Sequence, residues 1–104
     1  MATLDETRGD AIPAALQRSI ADLLRQQLEP TGAFDIAIYP DADYDGNPVV
    51  LVQVKHRLVE RPIEVKELIE AERAARDLAW QQGERRFVLI DHVWDERQKV
   101  AGAR

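Results

Sequence analysis

The stretch FDIAIYPDADYDGNPVVLVQVKHR, residues 34–57, decides the fold. Its first six residues alternate, so Phe34, Ile36 and Ile38 face one way and Asp35, Ala37 and Tyr39 the other. The run from Pro48 to Arg57 is rich in β-branched residues. Val50, Val52 and Val54 share one face of a strand there. Val49, Leu51, Gln53, Lys55 and Arg57 share the opposite face. Asp45-Gly46 between two such runs signals an antiparallel hairpin, because these residues tolerate the left-handed backbone of a tight turn.

Working outward, the pattern becomes helical on both sides. Upstream, Ile12, Leu16, Ile20, Leu23, Leu24 and Leu28 recur at spacings of three and four. Asp10 is the expected N-cap, Pro13 sits in the first turn, and Pro30 and Gly32 end the helix. Downstream, a second helix is expected over 62–82, with Val65, Leu68, Ile69, Ala75 and Ala79 on its apolar side and Ala71 and Leu78 at the flanks. Pro62 suits its opening turn and Gly83 its C-cap. Glu72–Arg76 and Arg73–Asp77 pair charges on the solvated face. RFVLIDHVW, residues 86–94, reads as a third strand.

The order α-β-β-α-β predicts an α/β (α+β) two-layer sandwich. A crossover helix makes the third strand parallel to the second, and both helices cover one face of a three-stranded mixed sheet. One domain is expected over 10–94, with a flexible lead over 1–9 and a polar, fraying tail over 95–104.

Composition narrows the function classes. The 104 residues carry a net charge of −5, which argues against nonspecific nucleic-acid binding through phosphate contacts. There is no cysteine, which excludes disulfides and thiolate chemistry and fits a cytoplasmic setting. No apolar run is long enough to span a membrane, and the polar start has no signal-peptide core. Arginine outnumbers lysine and alanine is frequent, a bacterial-type composition.

The open sheet face sets the leading functional expectation. Tyr39, Val49 and Leu51 form an apolar centre on it, with Trp94 at the edge, and exposed apolar sheet surface marks a partner site. The expectation is a non-catalytic interaction module that forms a homodimer or binds a protein partner, without a cofactor. Trp80 and Trp94 otherwise read as packing at the core edge. The only serine, Ser19, lies within a helix with no nucleophile elbow around it.

Two motifs raise metal chemistry. Asp41, Asp43, Asp45 and Gly46 match positions 1, 3, 5 and 6 of an EF-hand loop. Positions 9 and 12 fall on Val49 and Val52, which offer no side-chain oxygen, so the aspartates read as turn residues that accept backbone N–H bonds. The second motif is Pro40-Asp41 followed by Gln53-Val54-Lys55. With the order of elements, it resembles the core of the PD-(D/E)xK nuclease-like superfamily. That resemblance implies a divalent ion held by an aspartate and an (E/Q)xK pair on adjacent strands, with the lysine stabilising charge. If Tyr39 pairs with Val49, the site gathers Asp35, Gln53 and Lys55, with Glu29 as a fourth member. The alternative function is therefore a metal-dependent phosphodiesterase. The bland reading of the same residues is a solvated ion pair. His56 and His92 end different strands. If those strands are neighbours the rings can approach each other, and with Asp91 nearby such a pair could bind a metal or move a proton; the bland reading, and the favoured one, is two half-exposed sheet residues.

Overall fold

The computed structural model describes residues 11–101. It contains α1 (Ala14–Leu28), a single 3-10 turn (Glu29–Thr31), β1 (Ala33–Ala42), β2 (Pro48–His56), β3 (Ile63–Glu64), α2 (Val65–Gln81), β4 (Phe87–Val93) and β5 (Val100–Ala101). The main sheet has the order β1-β2-β4, with β1 antiparallel and β4 parallel to β2. Both helices lie on one face, giving the two-layer α+β architecture that the pattern predicts. The expected lead over 1–9 and the Asp10 cap lie outside the described residues.

The core forms where the two periodicities meet. Leu16, Ile20, Leu24 and Leu28 stack at every fourth position of α1 and are buried. They pack on Val50, Val52 and Val54 of β2 and on Val88 and Ile90 of β4. Each fully buried Leu or Ile here contributes about 2 kcal/mol from lost apolar surface. On α2 the buried positions are Leu68, Ala71, Ala75 and Ala79. That stripe is rotated from the expected one, so Ile69 is exposed and Ala71 central. Three alanines on the inner face leave room for α1 to approach.

The ends of α2 are set by hydrogen bonding. The helix begins after Glu64 rather than at Pro62, because Glu64 and Glu67 form a reciprocal capping box. Arg61 holds the Glu67 carboxylate with two bonds of 2.9 Å, and those bonds draw Glu67 below the usual carboxylate range. At the other end Gly83, at φ 90°, donates to Trp80 O and Glu84 donates to Ala79 O, a Schellman closure.

Three expectations need correction. The stretch read as a fraying tail returns to the body as far as residue 101. β5 pairs in parallel with β3, and the Gln98 side chain accepts from Val59 N and donates to Arg61 O. Phe34 does not face the core with Ile36 and Ile38. A bulge between Ala33 and Asp35 turns it outward, half exposed beneath the Arg57 guanidinium at 4.2 Å. Trp80 is 61% exposed and carries Arg85 over its ring at 3.9 Å, so it is not a core-edge residue.

Candidate functional site

The hairpin loop fixes which residues meet across the sheet. Asp43 N donates to Asn47 O and Gly46 N donates to Asp43 O, with Gly46 at φ 84°. The loop is therefore the three residues Tyr44, Asp45 and Gly46, a turn closed by a left-handed glycine. This sets Tyr39 opposite Leu51, not Val49, two residues from the register on which the metal reading rested. Asp35 then faces Lys55, and Ala37 faces Gln53.

That register moves Asp35 from opposite Gln53 to opposite Lys55; the three stay on one face of the sheet, and only Glu29 lies apart. Asp35 and Lys55 make a long ion pair of 3.9 Å, with both side chains about half exposed. Gln53 lies between Ala37 and Asp91 in the rows of the sheet. Asp35 and Asp91 flank β2 on opposite sides, one beside Lys55 and the other beside Gln53, more than two strand spacings or about 10 Å apart and too far to share one ion. Glu29 lines a separate hollow with Asp22, Arg25 and Phe34. In the loop, Asp41 accepts from Ala42 N. The Asp43 carboxylate accepts from Asp45 N and Asn47 N, and the Asn47 bond draws Asp43 below its ordinary range. Among the described residues no three His, Asp or Glu side chains are grouped to hold a metal ion.

The open face divides along the strands. At its hairpin end the rows Asp41–Val49–Phe87 and Tyr39–Leu51–Leu89 carry the apolar residues. Phe87 is 54% exposed, Leu89 42% and Tyr39 39%, while Leu51 is half buried. Val49, expected at the centre of this patch, is buried. Trp94, expected at its edge, is elsewhere: it packs on the core side, stacked on His56 at 3.7 Å. Phe87 and Leu89 take their place. The alternation of Val88 and Ile90 with Phe87 and Leu89 carried that information, but only the parallel register of β4 decides which pair faces inward.

The opposite end of the sheet holds a chain of polar side chains on the core side. His56 Nδ1 lies 3.1 Å from Thr31 O, and its Nε2 lies 2.8 Å from His92 Nδ1. His92 Nε2 lies 3.1 Å from Glu72 Oε2, and Arg76 approaches the other oxygen at 3.7 Å. Thr31 is buried and donates its hydroxyl to Leu28 O at 2.6 Å. Gly32, at φ 84°, carries the chain into β1. A Cβ there would lie 2.3 Å from Arg57 O, so only glycine brings the Thr31 turn this close to the end of β2.

Proton arithmetic constrains this chain. Thr31 O and the Glu72 carboxylate only accept, so three links need three protons. Two neutral imidazoles supply two. The third proton gives the pair one positive charge beside Glu72; without it one link is lost. Burial, assisted by the charge of His92, pushes His56 down to about 4 despite the pull of its Thr31 bond.

The neighbouring strand ends do bring the histidines together, as the conditional reading required. Asp91, their expected companion, is on the opposite face of the sheet; Glu72 of α2 is the carboxylate they meet. Glu72 follows buried Leu68 by four residues and precedes buried Ala75 by three, a rim position rather than the middle of a solvated face. No protein-family model and no curated protein sequence matches the chain. No helix among the described residues is long and apolar enough to cross a membrane.

Proposed function

We propose that the chain is a non-catalytic interaction module that self-associates through the apolar half of its open sheet face. The observation that carries this reading is the two adjacent rows holding Tyr39, Leu51, Phe87 and Leu89, exposed or half exposed on a face that no helix among the described residues covers. Uncovered apolar rows on a sheet gain most from burial against a flat apolar partner, and a second copy presents the same surface. The absence of cysteine supports a cytoplasmic setting for that assembly.

Sedimentation equilibrium tests the reading. The wild-type chain is expected to sediment as a dimer at micromolar concentration. Leu51→Glu places a charge within the two rows and is expected to give a monomer with unchanged circular dichroism. A wild-type chain that stays strictly monomeric at high concentration would sink self-association.

A further inference from the structure

The exit end of the sheet carries a feature that self-association does not use. β2 and β4 run parallel and finish side by side, and an open hollow of about 480 Å³ lies at their ends, with His56 in its wall. Ligands of sheets with parallel strands and covering helices collect at this end, because the strands stop there and the connecting segments diverge. The hollow is lined by the rings of Phe34 and Trp94 and by three cations, Lys55, Arg57 and Arg97. Among the described residues, the one carboxylate in its lining is Asp95. In a chain of net charge −5, this is a local reversal of sign.

The three cations differ in their commitments. Arg97 is spent on Asp95, with two bonds of 2.9 Å. Lys55 leans on Asp35 at 3.9 Å. Arg57 lies over the Phe34 ring, and no carboxylate among the described residues pairs with it. Its guanidinium is a planar fork already oriented by an aromatic face, the form that suits a phosphate or carboxylate. Trp94 lines the hollow and is held in place by its stacking on His56.

We propose that this hollow binds a small organic anion with a flat ring, of the nucleoside monophosphate class, its anionic group on Arg57 and its ring against Trp94. Lys55 supplies a second charge once it leaves its long pair with Asp35.

Titration of the full chain with adenosine 5′-monophosphate, followed by NMR, tests this. The Trp94 indole and the Arg57 and His56 amide signals are expected to move and saturate, while the Trp80 indole stays still. Arg57→Ala, or adenosine in place of the nucleotide, is expected to weaken binding about tenfold or more, as loss of a charge-assisted bond requires. Arg85→Ala, beside Trp80 and outside the hollow, should change nothing. Absence of movement at these signals, binding indifferent to Arg57→Ala, or inorganic phosphate or adenosine binding as tightly as the nucleotide would each overturn the proposal. A single-stranded oligonucleotide that binds about a hundredfold more tightly than its monomer would overturn the small-ligand assignment.

Discussion

β2 enters the sheet from a loop that closes on itself and leaves it into a cluster drawn from the whole chain. At the entry, Asp43 to Asn47 satisfy one another's backbone groups within five residues. At the exit, His56 depends on Thr31 from the α1–β1 turn, His92 from β4, Glu72 from α2 through His92, and Trp94 beyond β4. The entry is exposed and its bonds compete with water. At the exit Thr31 and His56 are buried, where an unmade bond costs the desolvation of its partner. Local closure makes the loop tolerant of change; long-range closure makes the exit a unit that holds or fails together.

Two glycines put numbers on this difference. Gly32 at the exit and Gly46 in the loop share a φ of 84°. Alanine at Gly32 suffers the left-handed strain and also overlaps Arg57 O at 2.3 Å. Relief requires moving the Thr31 turn away from β2, which breaks the His56 bond. Gly32→Ala is expected to cost about 4 kcal/mol, measured by urea unfolding. A loss under about 1 kcal/mol would show that the exit yields as easily as the loop.

The exit should also respond to acid where the loop does not set the response. His56 titrates near 4 in the folded chain against about 6.5 unfolded. Between those values the unfolded chain binds more protons, so stability is full above pH 6.5 and falls as the pH drops towards 4. The fall attributable to His56 is about 3 kcal/mol. His56→Phe keeps a ring for Trp94 to stack on and removes the titration. Its unfolding free energy should be lower than wild type at pH 7 and lose less between pH 6.5 and 4.5. Parallel pH profiles for the two chains would remove His56 as the source.

The same division explains what the sequence made legible. The element order and the faces of β2 could be read because period-two and period-four patterns are local, and Val50, Val52 and Val54 against Leu16, Ile20 and Leu24 leave little choice. The turn chemistry of Asp43 to Gly46 was legible too, but not its length, and a loop of three residues shifted the register and with it the partners of Asp35. Phe34 was misplaced because a bulge leaves no mark in the alternation. The histidine chain was legible only as a condition. Its carboxylate comes from a helix whose rotation turns on which of Ile69 or Ala71 faces inward, and small residues lining a close helix contact look like a flank in a hydrophobicity pattern. The strand returned by Val100 and Ala101 has two residues, too few to show a period.

Gly46→Ala isolates the remaining contribution. No heavy atom lies within 4 Å of the Cβ it would add, so nothing need move to admit the side chain. What is left is the left-handed backbone alone, about 1 kcal/mol against glycine. The Gly46 N–H bond to Asp43 O survives, so the register and the apolar rows of the open face are kept, and the dimer expected of wild type should persist. The difference between the two alanine substitutions, about 3 kcal/mol, then measures the close approach at the exit with backbone strain cancelled. Equal losses at the two sites would mean that the exit turn relaxes away from Arg57 without cost, and that Gly32 serves only its dihedral angle.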